Sequence, residues 1–304
     1  MSNDHYVPQS LLQRFCNADE RLHVWDKWKA RAFVSSTRNV ASENGFYDVR
    51  TDDGVVHFEP LLCAVEDAAL APLNRIVETK SLSCLSVSDR ANVAFFLAIQ
   101  TLRTSAQRAM LAQMDDGMRK AFPSKRIDQT QLPPDYFSRD QEELKAESIF
   151  QLKMAKEFAP HFLAKEWCLN APSPNATFLV SDNPVVLRNY YEPSQNRGNS
   201  GIASPGIQIY MPLSPQLILC LLCPTLLQPF RDEQEALDHP IPILEAVESG
   251  RAFVIPPESV VYCNSLQIAF SERFVFSSDG DFSLAREMVS ETPDLRKPTR
   301  IVVQ

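Results

Sequence analysis

"EPLLCAVEDAALAPLNRIVE", residues 59–78, is where the chain changes its hydrophobic period. Within it Leu62, Ala69, Leu73 and Ile76 recur three, four or seven residues apart, the spacing of one helical face, and Glu66 falls inside that stripe. Pro60 suits the start of a helix, and Pro72 predicts a kink. The preceding chain reads differently. "RLHVWDKWKARAFVSS", residues 21–36, alternates as one or two strands. "NGFYDVRTDDGVVHFEP", residues 44–60, reads as a hairpin, with turn signals at Asn44-Gly45 and Asp53-Gly54.

Beyond residue 78 the helical pattern continues. A second helix is expected from Ser88, as its cap, to Met118, and a third from Gln141 to Lys165. Between them residues 119–140 are polar and contain Pro123, Pro133 and Pro134, so they are expected to form a long surface excursion. From Trp167 the chain returns to short strands: "TFLVSDNPVVL" (177–187), "GIQIYMPLSP" (206–215) and "QLILCLLCP" (216–224). "ILEAVESG" (243–250) reads as a short helix closed by Gly250. "VVYCNSLQIAFSERFVFSS" (260–278) reads as strand or helix, because short apolar runs do not separate the two. The pattern predicts an α+β fold in which a helical middle packs on a mixed β-sheet with strands from both ends of the chain. One domain is expected over 1–304, with a strap and strands in 1–58, helices in 59–166 and a strand-rich 167–304. Only 8 glycines against 22 prolines suggest stiff, ordered connections.

Composition narrows the function classes. Of 304 residues, 44% are hydrophobic and 22% charged, an ordinary globular balance. Thirty basic against 38 acidic residues leave a net charge of −8. That argues against broad electrostatic coating of nucleic acid, while permitting a local basic groove. The longest apolar run, "LILCLLCPTLL" from Leu217, is about half the length a bilayer span needs, so no membrane association is expected. No signal-peptide pattern is seen in the first thirty residues, and a cytoplasmic location is expected. Seven cysteines are odd in number and irregularly spaced. Cys220 and Cys223 form a C-x-x-C without a second pair at zinc spacing, so they are read as reduced core thiols. His161 and His239 each neighbour a proline and are read as surface or packing residues.

Several polar residues stand on apolar faces. In "NDHYVPQSLLQRF", residues 3–15, His5 is followed by Tyr6, Val7, Leu11, Leu12 and Phe15, which would tie the segment down, with a short helix just past Pro8. Glu59 lies seven residues before Glu66 and so on nearly the same face of the first long helix. On the next, Val93, Phe96, Gln100, Arg103 and Gln107 share a stripe. A carboxylate on a core-facing stripe must be paired, hydrogen-bonded or protonated, and Arg103 and Glu66 could make a bidentate pair across adjacent antiparallel helices. Such a pair either fixes helix register or opens onto a pocket. In "SDNPVV", from Ser181, Asp182 and Asn183 end a strand before a proline turn. They are read either as site residues or as an Asx turn.

"HYVPQSLLQRF", "VWDK", the helix with Glu59 and Glu66, "QTLRT", "FLVSDNPVV" and "PLSP" together resemble the domain-of-unknown-function family 4238. Its members open with a His-Tyr-x-Pro element and carry Ser-Asp-Asn-Pro later. The resemblance implies no activity, but it implies that His5, Pro8, Gln9, Glu66, Arg103, Asp182 and Asn183 occupy motif positions. Asp4 stands where many relatives double the histidine. "DHYVP" is also similar to part of an HNH nuclease, a reading set aside because Asn17 lies in a turn and His23 in a strand.

Two functions are expected in competition. In the first, a metal-dependent phosphodiester hydrolase of nuclease type, His5 is a general base or metal ligand. Glu66 and Asp182 hold magnesium or manganese, and Arg103 stabilises developing phosphate charge, with nucleic acid or a nucleotide as substrate. Gln9, Gln100 and Asn183 support the site. In the second, the same residues form the buried polar network of a non-catalytic ligand-binding or regulatory module. No Gly-rich phosphate loop or nucleophile elbow argues for any other class.

Overall fold

The computed structural model describes residues 3–121, 139–191, 201–237 and 239–300. Pro123, Pro133 and Pro134, and with them most of the expected surface excursion, lie outside the described residues.

The N-terminal strap is short and tightly held. Strand β1 (Asn3–His5) pairs antiparallel with β4 (Ser42–Asn44), aligning His5 with Ser42. Helix α1 (Gln9–Gln13) begins just past Pro8, and Val7, Leu11, Leu12 and Phe15 are buried beneath it. Residues 21–36, read as one or two strands, form a hairpin of β2 (Leu22–Asp26) and β3 (Arg31–Ser35). Strands β5 (Asp48–Thr51) and β6 (Gly54–His57) make a second hairpin, so the Asp53-Gly54 turn signal holds. The Asn44-Gly45 signal instead ends β4, with Gly45 at φ +61°.

Helix α2 (Glu59–Thr79) buries Leu62, Ala69, Leu73 and Ile76, and keeps Pro72 inside it. The expected second helix is two helices, α3 (Val87–Leu102) and α4 (Ser105–Ala121). Its cap is Ser86, two residues before the expected Ser88: the Ser86 hydroxyl accepts from the Asp89 amide at 3.1 Å, and the Asp89 carboxylate accepts from the Ser86 amide at 2.9 Å. The chain breaks at Arg103 and Thr104 because both have other partners. The Arg103 carbonyl accepts from the Tyr47 hydroxyl at 3.0 Å, and the Thr104 hydroxyl caps α4 by accepting from the Gln107 amide at 3.3 Å. The expected third helix also divides, into α5 (Gln141–Phe150), a 3-10 turn (Gln151–Met154) and α6 (Ala155–Leu163). The tighter turn re-aims the chain so that Ala155, Ala159 and Phe162 are buried as α6 packs along α3.

Two larger sheets follow. The five-stranded one runs β12-β7-β11-β10-β9, built from β7 (Glu166–Pro172), β9 (Val186–Asn189), β10 (Ile207–Ser214), β11 (Leu217–Leu222) and β12 (Phe253–Ile255). It is mixed, since β12 lies parallel to β7. The four-stranded sheet, β3-β2-β13-β8, joins the N-terminal hairpin to β8 (Val180–Ser181) and β13 (Phe274–Ser277). Strands from both ends of the chain therefore meet in the antiparallel sheet, and the fold is α+β. Every residue of β11 is buried, and Cys220 and Cys223 are buried free thiols, with Cys220 opposite Cys168.

Helices α7 (Pro224–Leu237) and α8 (Pro242–Ser249) follow β11, and Gly250 closes α8 at φ +65°. Residues 260–278, open between strand and helix in sequence, divide into strand β13 and, before it, helix α9 (Pro257–Phe270). It lacks a clean apolar stripe because it serves two cores: Val260, Cys263 and Leu266 pack against the five-stranded sheet, while Ile268 joins Trp25, Val275 and Phe282. Helix α10 (Ser283–Glu291) is the last described α-helix. The largest buried cluster unites Leu12, Leu73, Leu97, Phe162, Leu219 and Phe276, so all three stretches of the chain share it. No helix among the described residues is long and apolar enough to cross a membrane.

Candidate functional site

Arg103 is the centre of the polar cluster. As the last turn of α3 ends, its side chain is fully buried and reaches across to α2, where Nη1 donates to Glu66 Oε1 at 2.7 Å. Nε donates to Gln100 Oε1 at 2.8 Å, and Gln100 Nε2 in turn donates to the Tyr6 carbonyl at 2.9 Å. The expected pairing of α2 with α3 through one charge on each stripe is therefore present, but through one guanidinium nitrogen rather than two. Nη2 is buried with no hydrogen-bond partner among the described residues. Burial works to lower the Arg103 pKa, yet Tyr47, Glu66 and Glu59 hold it above its ordinary value. The guanidinium stays charged.

His5 and Glu59 complete this cluster. His5 is 8% exposed, and its Nε2 also lacks a partner among the described residues. Burial lowers its pKa, with the backbone at Thr37 and Arg38 and the charge of Glu66 opposing. The imidazole is thus biased to the neutral form. Glu59 opens α2 one face-repeat before Glu66, and its Oε2 is buried without a partner among the described residues. Burial pushes its carboxyl up to about 7, helped by Asp4 and Glu66 and opposed by Arg103 and the His5 backbone. Asp4 is fully buried beside His5 and accepts from the Tyr47 amide at 3.0 Å. Glu59 and Glu66 therefore both act on the Arg103 guanidinium, and Asp4 neighbours Glu59.

Asp182 belongs to a different arrangement. It is fully buried at the end of β8, where its Oδ1 accepts from the Glu272 amide at 2.7 Å and its Oδ2 from Arg273 at 2.7 Å and Phe274 at 2.8 Å. From the other side, buried Lys27 donates from Nζ to the carbonyls of Ile268 and Ser271, each at 2.9 Å, holding the C-terminal end of α9. Burial brings the Lys27 pKa down to about 8, and the charge of Asp182 opposes that fall. Asp182 and Lys27 clamp the turn between α9 and β13. The Asx reading for Asp182 gives way to Ser181, whose hydroxyl accepts from the Asn183 amide at 3.2 Å. Asn183 links the two arrangements: its Oδ1 accepts from the Thr104 hydroxyl at 3.1 Å, and its Nδ2 donates to the Phe270 carbonyl at 3.0 Å. Gln9 is half-buried at the start of α1.

The donor sets do not suit a divalent cation shared by Glu66 and Asp182. Glu66 is engaged by Arg103, and both Asp182 oxygens are engaged by backbone amides. Among the described residues no group of three or more His, Cys, Asp or Glu side chains is arranged to hold a metal. Sequence reading noted Glu59 but left it outside the site, and it passed over Lys27 and Tyr47. Glu59 carries a legible signal, since it shares the face of Glu66. Lys27 and Tyr47 do not, because their partners are backbone carbonyls far along the chain. Asn17 forms an Asx turn, its side chain accepting from the amides of Asp19 and Arg21, and His23 lies in β2, so the HNH reading stays set aside. His161 and His239 are exposed.

Comparison with curated proteins and with solved structures returns no match. A family model described as "Protein of unknown function (DUF4238)" matches residues 3–281, a span that includes both the His5–Arg103 cluster and the Asp182 clamp. The chain belongs to the DUF4238 family.

Proposed function

We propose that this chain is a non-catalytic ligand-binding module, in which His5, Glu59, Glu66 and Arg103 hold a small, polar, phosphate-free ligand. The observation that carries the reading is the set of three polar atoms, His5 Nε2, Glu59 Oε2 and Arg103 Nη2, all buried without partners among the described residues. Leaving a buried donor or acceptor unmet costs roughly 1–3 kcal/mol, so three in one cluster favour a polar guest. A phosphate-free guest is favoured over a phosphate because Arg103 is already paired with Glu66 and the Glu59 carboxyl stands beside that pair. Free buried thiols at Cys168, Cys220 and Cys263 suit a reducing compartment, and the cytoplasm is the proposed location.

Calorimetry of the full chain against nucleosides, amino-acid amides and polyols, each beside its phosphorylated counterpart, tests the reading. A phosphate-free compound is expected to bind wild type and to lose at least about tenfold in affinity with either H5A or E59Q, about 1.4 kcal/mol per decade. Tighter binding of the phosphorylated partner would overturn it.

A second reading, phosphodiester hydrolysis of nucleic acid or a nucleotide, is favoured by one feature. A neutral His5 beside a Glu59 whose pKa is about 7 is a matched base and acid. Cleavage of DNA, RNA or a nucleotide in magnesium or manganese buffer, lost in H5A, would replace the binding reading. Absent cleavage, or cleavage equal in H5A, ends the hydrolase reading.

A further inference from the structure

A cavity of about 870 Å3 lies between the β5–β6 hairpin, α2, α3 and the α5–α6 segment, on the neighbouring face of α2 from Glu59 and Glu66. Its walls are apolar, formed by Phe58, Leu61, Val65, Phe95, Ile149 and Phe150 among others. Leu61 is 65% exposed and Phe150 60%, so large apolar side chains are kept in solvent contact at its mouth. A volume in the range of roughly 300–1,000 Å3 with walls of this kind is that of a small-molecule site.

The charged side chains around it are unequally tied down. Arg139 is neutralised by Asp115, with Nε at 2.9 Å and Nη2 at 2.5 Å. Glu143 accepts from the Asp140 amide at 2.7 Å, and Glu147 accepts from Gln151 Nε2 at 3.3 Å, both carried by α5. Lys153 and Lys156, on the turn and helix that follow, line the same cavity, and neither is in an ion pair among the described residues. Lys153 is held at the wall, its Nζ 3.4 Å from the centre of the Phe150 ring. An ammonium fixed against an apolar wall is a site for an anionic head joined to an apolar body.

We propose that this cavity binds an amphipathic carboxylate, an acyl chain lying among Phe58, Leu61, Phe95 and Ile149 with its carboxylate between Lys153 and Lys156. The site is separate from the polar cluster and does not depend on its function.

The test is calorimetric titration of the full chain with dodecanoate, dodecan-1-ol and dodecyltrimethylammonium, each below its micellar concentration. Dodecanoate is expected to bind one to one, at least about tenfold tighter than the alcohol, with the cation weakest. In the surface variant K153E/K156E the preference for the acid over the alcohol is expected to disappear while alcohol binding persists. In A146W, which places an indole in the cavity, binding of both is expected to be lost. Binding of none of the three by a folded wild type overturns the proposal, as does equal binding of acid and cation. So does a chain that self-associates and that A146W converts to monomer, because the groove would then be a surface for a second copy.

Discussion

At the scale of single residues the polar cluster is governed by burial acting on opposite charge types. Burial disfavours the ionised form of any group, which moves Glu59 up and His5 down. For Glu59 the folded value of about 7 exceeds the ordinary 4.5, so the folded state binds the extra proton between those values. Its contribution to stability is therefore full below pH 4.5 and is lost as pH rises through about 7. E59Q removes that titration: the variant is expected to gain in urea midpoint over wild type at pH 8 and to match it near pH 4. A constant difference across that range would sink the assignment. His5 runs the other way, its lowered pKa costing stability as pH falls below 6.5, and E59Q leaves that limb in place. Asp182 is the more costly residue to change. D182A orphans the amides of Glu272, Arg273 and Phe274 and strands the buried Lys27 charge. A loss of ~4 kcal/mol or more in unfolding free energy is expected, because each orphaned buried group costs about 1–3 kcal/mol. A loss below ~1 kcal/mol by urea denaturation would mean that the clamp carries little of the stability.

At the scale of elements, the helical stripes show why part of the site was legible in sequence. Glu66 and Arg103 each interrupt an apolar stripe, and two such interruptions on successive antiparallel helices had to meet. The break between α3 and α4 left no comparable mark. Its causes are a tyrosine hydroxyl from 56 residues earlier and a threonine that reads in sequence as an ordinary helix residue. Asp182 was legible as the end of a strand but not as a clamp, because its partners are backbone amides some ninety residues on, and amides carry no sequence signature. Helix α9 was ambiguous since its exposure to two cores removes the amphipathic period on which the reading relies. The α3–α4 break makes its own prediction. Thr104 both caps α4 and donates to Asn183, so T104A loses the cap and the tie to the Ser-Asp-Asn-Pro element. S86A loses the cap of α3 and an exposed bond from the same hydroxyl to the Asp89 carboxylate, but no tie to another element. The cap alone is worth ~1 kcal/mol, and T104A is expected to cost about twice as much. Equal costs for the two variants would show that the Thr104–Asn183 bond adds nothing.

At the scale of the molecule, the question is whether the strap, helices and sheets unfold together. Three features argue that they do, and we propose that 1–304 behaves as one cooperative domain. The largest buried cluster draws on all three stretches, the four-stranded sheet needs β2 from one end and β13 from the other, and α9 joins the two remaining cores. A unit whose core residues come from both ends of the chain cannot lose one end without exposing the other. The tryptophans allow this to be read separately in each part. Trp167 is buried in the largest cluster, and Trp25 in the core beside α10. With the exposed Trp28 also removed, W25F/W28F leaves only Trp167 and W28F/W167F leaves only Trp25, so each variant reports on one part. Urea unfolding of both variants, followed by tryptophan fluorescence and far-ultraviolet circular dichroism, is expected to give one transition with coincident midpoints for the two probes. Non-coincident midpoints in either variant, or a plateau between two transitions, would divide the chain into separately folding units. Where the plateau retained only the fluorescence of Trp167, the four-stranded sheet would be the part that opens first, and with it the Asp182–Lys27 clamp.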